Sequence, residues 1–202
     1  MPLPSEADLL RYIAREEPLT DTVRAFRGVS REHLGQMLEA LAARLSAPAE
    51  APSPSESAPT ITEVGKGPYP RLRLFTDGAA RGNPGPSGAG AVLVEPGGQV
   101  VARLGKYLGV QTNNHAEYTA LLLGLQHART LGARELEVFL DSELIVRQLE
   151  GSYQVRSPTL KPLYEEAVRL LKDFPKAKVA HVPREENAAA DEMSNRAIDE
   201  KL

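Results

Sequence analysis

The sequence predicts a mixed α/β fold, with a sheet flanked by helices on its faces and a small helical unit in front of it. After residue 70, three strand-like segments follow one another, and helical and strand-like segments then alternate to residue 200. In residues 1–45, apolar side chains recur at helical spacing. Between these parts, proline, serine and alanine dominate residues 46–69, which predicts a flexible linker and a sheet domain over residues 70–202.

Composition excludes several classes of protein. The chain has 202 residues, of which 42% are hydrophobic, a net charge of -3 and no cysteine. Disulfides and thiolate metal sites are therefore excluded. The acidic balance argues against a protein that is basic overall, but not against a local basic groove. No apolar run is long enough to span a membrane and no signal peptide is evident, so we expect a soluble cytoplasmic protein.

The first 45 residues predict a small helical unit with a turn in its middle. Gly28 fits the end of one helix, and Ser30 fits the N-cap of the next. Two short helices around such a turn resemble a helix-turn-helix, so the unit is a candidate for nucleic-acid contact through Arg24, Arg27 and Arg31. The alternative is a solvated basic face.

Each later element has its own signal. The predicted strands cover residues 71–76, 87–95, 99–108, 135–140 and 178–182, and the predicted helices cover residues 113–131, 142–151, 158–174 and 187–200. Polar and apolar residues alternate along the first strand. Residues 96–98, Pro-Gly-Gly, predict a hairpin turn, and Gly132 is expected to end the first long helix.

Four acids lie where this layout brings element ends together. Asp77 is expected to end the first strand, Asp141 is expected to end the fourth, and Glu117 and Asp191 lie near the starts of two helices. Such ends converge on one crevice at the edge of a mostly parallel sheet. Four carboxylates there cannot all stay ionised without cations, and Mg²⁺ or Mn²⁺ prefers oxygen ligands. We therefore expect two divalent ions suited to phosphodiester hydrolysis, although any single acid could equally be a surface charge or a cap.

Short motifs surround these acids in a fixed order. They are Thr76-Asp77-Gly78, Gly82-Asn83-Pro84-Gly85-Pro86, Thr112-Asn113-Asn114 with Glu117, Leu140-Asp141-Ser142, and His181 with Asn187 and Asp191. In this order and spacing they resemble type 1 ribonuclease H of the ribonuclease H-like superfamily. The resemblance implies a five-stranded mixed sheet whose second strand is antiparallel. It also implies an endonuclease that hydrolyses the RNA strand of RNA/DNA hybrids with two metal ions, leaving 3′-hydroxyl and 5′-phosphate ends.

The resemblance also implies roles for individual residues. The catalytic metal ligands would be Asp77, Glu117, Asp141 and Asp191. His181 would assist proton movement or product release, or else be a structural histidine at a strand end. The hybrid would be contacted by Asn83, Asn113 and Asn114, and Thr112 would hold a DNA phosphate. Gly78, which lacks a side chain, would offer its backbone to the substrate at close approach. For Asn113 and Asn114, helix capping is an alternative.

Two departures from the family pattern bear on substrate affinity. Some members carry a basic, tryptophan-containing protrusion where this chain has only residues 152–157, and the chain has no tryptophan. Affinity would then come from the tethered N-terminal unit or from the basic residues Arg81, Lys106, Arg156 and Lys161. Glu143 replaces an uncharged amide of other members, which is expected to weaken one RNA contact.

Two other functions stay open on these observations. One is a catalytically idle nucleic-acid-binding or adaptor protein, which the intact acids disfavour. The other is a nuclease of the same fold that acts on RNA/RNA or chimeric duplexes, whose 2′-hydroxyl groups would be read by similar residues. Neither a membrane nor a protein partner is implied.

Overall fold

The computed structural model describes residues 10, 12–14, 19–25, 30–46, 59–64 and 67–202. The chain divides into two compact units, Met1–Ser53 and Pro54–Leu202. The first unit contains helices α1 (Thr20–Ala25) and α2 (Arg31–Ser46). Arg24 lies in the last turn of α1 and Arg31 begins α2, whereas Arg27 and Gly28 lie outside the described residues. Nucleic-acid contact by this unit therefore stays a prediction.

The second unit is built on a mixed sheet of six strands within the described residues. The strands are β1 (Thr60–Val64), β2 (Arg71–Ala80), β3 (Gly85–Val94), β4 (Val100–Gln111), β5 (Glu135–Leu140) and β6 (Lys176–His181). They lie in the order β1-β4-β3-β2-β5-β6. β3 is antiparallel to β2 and β4, and β1 is antiparallel to β4. The pairs β2–β5 and β5–β6 are parallel, which confirms the mixed α/β class.

The edge strand β1 corrects both the predicted linker and the predicted strand count. Residues 60–64 lie within the stretch expected to be a flexible linker, yet they pair with β4, with Thr60 opposite Gly105. Their sequence, Thr-Ile-Thr-Glu-Val, consists mainly of β-branched residues, which favour strands. Because proline- and serine-rich residues precede this short run, the whole stretch resembles a linker in sequence. The sheet of the described residues therefore has one strand more than the five predicted.

Helices cover both faces of the sheet. In the second unit they are α3 (Asn113–Thr130), α4 (Glu143–Leu149), α5 (Lys161–Leu171) and α6 (Ala188–Glu200), and a 3-10 turn, Arg184–Asn187, precedes α6. α5 begins later than predicted because Pro162 occupies its first turn. Gly132, with φ of +79°, follows α3 as expected. In the part of the chain that the structure describes, no helix could cross a membrane.

The larger apolar core lies between one face of the sheet and α3. Leu72 and Leu74 of β2 are buried, while Arg71 and Arg73 alternate with them on the exposed face. Leu121 of α3 belongs to the same buried cluster. Because each fully buried large apolar side chain contributes about 1.5–3 kcal/mol, this cluster is the main source of stability.

Two glycines let α6 approach the opposite face of the sheet closely. A Cβ on Gly90 would lie 2.4 Å from the backbone nitrogen of Ser194, and a Cβ on Gly88 would lie 2.4 Å from the carbonyl oxygen of Ser194. No side chain fits at that separation, so β3 must carry glycine at both positions. Gly90 lies opposite Asp77 of β2. The close approach therefore brings α6 beside the strand that carries Asp77.

Candidate active site

Parallel strands end side by side at one edge of the sheet. Leu140, the last residue of β5, lies opposite Thr76 of β2 and opposite His181, the last residue of β6. Asp77 follows Thr76 within β2 and Asp141 follows the end of β5, so the two acids lie at neighbouring positions. The register of the parallel ladder thus sets the separation of these two acids.

Asp77 does not end its strand, contrary to the prediction. β2 continues to Ala80 because the antiparallel strand β3 still supplies partners there, with Gly78 opposite Ala89. The pairing with β5, in contrast, stops one residue before Asp77. Asp77 is therefore held on one side by a hydrogen-bonded strand and opens on the other side toward Asp141.

Helix α3 brings Glu117 to the same edge, and Gly78 makes this approach possible. A Cβ on Gly78 would lie 2.0 Å from the backbone nitrogen of Glu117, so only glycine fits between strand and helix. The backbone N–H of Gly78 donates to the Glu117 carboxylate. Among the described residues, Oε2 of Glu117 has no hydrogen-bond partner although it is buried.

Three of the four predicted acids form a tight cluster. One carboxylate oxygen from each of Asp77, Glu117 and Asp141 lies within 4.8 Å of the others. Asp191 lines the same cavity of about 330 Å³, but its Oδ1 accepts a hydrogen bond of 2.5 Å from Arg184. The structure therefore brings the first three acids together and places Asp191 beside them, paired with the guanidinium of Arg184.

Burial raises the proton affinity of two acids in the cluster. It raises the pKa of Asp77 from 3.8 to about 6, opposed by a hydrogen bond from Ser194 and reinforced by the charges of Asp141 and Asp191. Burial, followed by the charges of Asp77 and Asp141, also raises the pKa of Glu117 well above its ordinary value. A bound divalent cation would counter both effects. With the partnerless Oε2 of Glu117 and an all-oxygen donor set, these residues fit such a cation.

Sequence reasoning assigned no role to three residues that hold the acids in place. Ser194 Oγ donates to Oδ2 of Asp77, and Arg184 pairs with Asp191. Asn195 Nδ2 donates to Oδ2 of Asp191 at 3.3 Å. The available signal was helical spacing, since residues three and four positions after Asp191 share its side of a helix.

Asn187, which belongs to the motif with His181 and Asp191, donates a hydrogen bond to Asp141. Its Nδ2 lies 2.9 Å from the carbonyl oxygen of Thr76 and 3.3 Å from Oδ1 of Asp141. It is fully buried. This one amide therefore ties the end of β2 to the acid that follows β5.

The residues predicted to contact substrate surround the start of α3. Gly78 and Asn113 line the acid cavity. Thr112 is the N-cap of α3, and its Oγ1 accepts from the N–H of His115 at 3.3 Å. Oδ1 of Asn83 accepts from the N–H of Asn113 at 3.2 Å. The capping role considered for Asn113 and Asn114 is thus performed by Thr112 and Asn83.

His181 lies at the rim of the cluster. It is exposed at the end of β6, and its Nε2–H donates to the backbone oxygen of Asp141 at 3.2 Å. This contact is compatible with the structural alternative, and the catalytic role stays a prediction.

Some charges proposed to affect hybrid affinity have partners within the chain. Arg81 pairs with Asp199 at 2.5 Å, and Glu143 pairs with Arg147 at 2.7 Å. Lys161 lines a separate cavity of about 320 Å³ that also includes Tyr153. Of these three residues, Lys161 is the one for which the structure describes a cavity and no ion pair.

A family model described as reverse transcriptase-like matches residues 75–197, a stretch that includes all four acids. Ribonuclease HI of Halobacterium salinarum is 41% identical over 64% of this chain. The bifunctional protein Rv2228c of Mycobacterium tuberculosis is 43% identical over 64% of it. The chain spans 65% of the length of the first relative and 36% of the second.

A solved structure agrees with these matches. LC11-RNase H1, in complex with an RNA/DNA hybrid, aligns with a TM-score of 0.62 and 42% identity. The alignment covers 65% of this chain and 99% of that one. The similarity therefore falls on the sheet-containing part of the chain.

Proposed function

This chain belongs to the ribonuclease H family, and we propose that it is a metal-dependent endonuclease that hydrolyses the RNA strand of RNA/DNA hybrids. The observation that carries the proposal is the cluster of Asp77, Glu117 and Asp141, with oxygens within 4.8 Å. The hybrid bound to the similar LC11-RNase H1 supports the substrate class.

The four acids would hold two divalent ions, Mg²⁺ or Mn²⁺. Ions bound there would help a water molecule attack the phosphorus and would neutralise charge on the departing 3′ oxygen. Hydrolysis of this kind gives 3′-hydroxyl and 5′-phosphate ends. The chain supplies the orientation of the ligands. The Gly78 amide holds Glu117, Ser194 holds Asp77, and Asn187 holds Asp141. His181 lies at the rim, where we propose that it assists proton movement or product release.

Residues near the start of α3 would recognise the hybrid. The contact between Asn83 and the Asn113 backbone uses Oδ1 of Asn83, so its NH₂ group can still donate to substrate. Thr112 caps α3 with an oxygen lone pair, so its hydroxyl hydrogen can still donate to a DNA phosphate. Gly78, Asn113 and Asn114 would complete the reading of the RNA 2′-hydroxyl groups.

Cleavage of labelled duplexes tests this function. The full chain is incubated with RNA/DNA, RNA/RNA and DNA/DNA duplexes in Mg²⁺ or Mn²⁺, and the ends of the products are determined. We expect cleavage of the RNA strand of RNA/DNA, no cleavage of DNA/DNA, and no cleavage of any duplex in EDTA. Equal cleavage of RNA/RNA would favour the related duplex nuclease. Hybrid binding without cleavage in either metal would favour the idle binding protein.

We also propose that the protein works in the cytoplasm. We propose further that the N-terminal unit contacts nucleic acid and raises the affinity for the hybrid. A truncated protein should begin at Pro59, so that edge strand β1 is kept. If the unit contributes binding, truncation raises KM several-fold and leaves kcat unchanged, because the unit acts through effective concentration. An unchanged KM contradicts this role.

A further inference from the structure

Ser194 is fully buried and contacts two of the predicted metal ligands. Its Oγ donates to Oδ2 of Asp77 and also lies 2.9 Å from the backbone oxygen of Asp191. A hydroxyl group has one hydrogen, so it donates to one of these acceptors at a time. The carboxylate is the stronger acceptor because it is charged. The hydrogen therefore lies toward Asp77.

Close packing of α6 on β3 sets the position of this contact. Gly88 and Gly90 let the backbone of α6 approach β3 at Ser194 to a distance that excludes any side chain. Gly90 is opposite Asp77 in the sheet register. The same packing therefore brings the Ser194 hydroxyl to the Asp77 carboxylate.

Without such a contact, the Asp77 carboxylate would be free to turn. Asp77 is 6% exposed, so few water molecules are available to orient it. Ser194 contacts Oδ2 of Asp77, and one oxygen of the same carboxylate lies within 4.8 Å of an oxygen of Glu117 and of Asp141. A carboxylate has two oxygens with about four lone-pair sites, so the bond from Ser194 fixes its orientation and still leaves lone pairs for a ligand.

We propose that Ser194 is a positioning residue, whose hydroxyl orients the Asp77 carboxylate toward Glu117 and Asp141 and thereby sets the affinity of the site for divalent cations. This inference rests on the proposed function, because it assumes that the cluster binds such ions. Hydrogen-bond partners of metal ligands commonly change metal affinity when they are removed.

Direct Mn²⁺ binding to the full chain tests this role. Titration calorimetry compares the wild-type protein with Ser194→Ala and with Ser87→Ala. Ser87 is a matched control, because it is also fully buried and its Oγ donates one hydrogen bond, to the Gly109 carbonyl at 2.9 Å. We expect Ser194→Ala to raise the Kd for Mn²⁺ by about tenfold and Ser87→Ala to leave it unchanged.

Cleavage at varied Mn²⁺ concentration supplies a second readout. In Ser194→Ala, the concentration for half-maximal hybrid cleavage should rise by the same factor, with kcat at saturating Mn²⁺ retained. A loss of packing alone would lower the thermal midpoint of both serine variants without this shift.

The outcomes separate this inference from the proposed function. An unchanged Kd in Ser194→Ala overturns the positioning role, and so does an equal rise in Ser87→Ala. In either case, intact hybrid cleavage leaves the proposed function standing. If the wild-type protein binds no Mn²⁺ and cleaves no hybrid, both proposals fail together.

Discussion

The two ends of strands β2 and β5 surround their carboxylates in opposite ways. At the start of the strands, Glu135 lies 3.3 Å from Arg71 and 2.8 Å from Lys176, and its hydrogen bond with Lys176 lowers its pKa. Where the pairing of β2 with β5 stops at the other end, Asp77 is buried and its pKa is raised to about 6. In the described lining of the acid cavity, Arg184 is the single cationic side chain.

This difference shows how one sheet separates structural charges from functional ones. The ion pairs of Glu135 at the start of the strands are exposed, so each contributes little to stability, and Glu135 needs no external partner. The acids at the other end are buried with too few cations, which is unfavourable until a divalent ion binds. Folding tolerates the acid cluster because the apolar core between the sheet and α3 offsets its cost.

The largest expected effect comes from Asp77→Asn, which removes a charge from the acid end only. Metal-ion catalysis is worth several kcal/mol, so hybrid cleavage should fall at least about 1,000-fold. The thermal midpoint in EDTA should stay the same or rise, because a crowded buried charge is gone. Initial cleavage rates check this, with Glu135→Gln as the matched control. Retention of more than a tenth of wild-type activity would contradict the metal assignment.

The next effect is a pH dependence of stability in the metal-free protein. The pKa of Asp77 is raised in the folded state, so the folded protein binds its proton more tightly than the unfolded chain does. The stabilisation of the folded state that results is fully present below about pH 4 and is lost as pH rises through about 6. The rise from 3.8 to about 6 corresponds to about 3 kcal/mol. Denaturant unfolding in EDTA should therefore give a higher free energy of unfolding at pH 5 than at pH 8.

Asp77→Asn is the control for this pH dependence. It should reduce the loss between pH 5 and pH 8, since one of the two acids with a raised pKa is absent and Glu117 remains. The same profile in wild type and variant would show that other groups cause it.

Divalent ions should stabilise the folded protein by a comparable amount. At a concentration of 100 times Kd, binding to the folded state alone adds about 2.7 kcal/mol to the free energy of unfolding. The thermal midpoint of wild type and of Glu135→Gln should rise with Mn²⁺, and that of Asp77→Asn should rise much less. An equal rise in all three proteins would mean that the ions bind elsewhere.

Arg184→Ala should have a smaller effect, because it removes the one cation that the chain supplies to the acid cavity. The Arg184 side chain is 74% exposed, so its loss should cost the metal-free protein at most about 1 kcal/mol. The stabilisation by Mn²⁺ should become larger, since Asp191 no longer pairs within the chain. Calorimetric titration and thermal unfolding measure both quantities. A smaller Mn²⁺ stabilisation in the variant would contradict competition between Arg184 and the ion.

The smallest effect is expected for Glu135→Gln at the opposite end of the strands. Hybrid cleavage should be unchanged, and the thermal midpoint at neutral pH should shift by no more than about 2 °C. The pKa of Glu135 is lowered in the folded state, so its small stabilisation is present at neutral pH and is lost on acidification. A loss of cleavage in this variant would remove the distinction between the two ends.

Several features of this chain were predictable because they depend on local sequence. The alternation along β2 and the acids Asp77 and Asp141 are read directly from residue order. The motifs around Asp77, Glu117 and Asp141 predicted the family, and the family model and relatives agree with that prediction. Gly78 was expected to approach the substrate, and the structure adds another reason for glycine at this position, because a Cβ there would lie 2.0 Å from the backbone nitrogen of Glu117.

Other features were missed because their cause lies far away in the chain. Thr60–Val64 was predicted to be linker, and its strand forms because β4 offers a pairing edge. The predicted strand end at Asp77 was wrong because β3 extends the ladder to Ala80. Both errors concern where a partner strand begins and ends, which composition cannot indicate.

Residue order alone thus establishes the mixed α/β class, the family and the identity of the acids, since these follow from periodicity and motif spacing. Folding in three dimensions establishes which acids meet, that Asp191 pairs with Arg184, and that Ser194 contacts Asp77 across 117 positions of the chain. The physical reason is that the distances between the acids and their burial are fixed only when α6 packs on the glycines of β3. Those distances and that burial decide how strongly each carboxylate binds a proton or a cation.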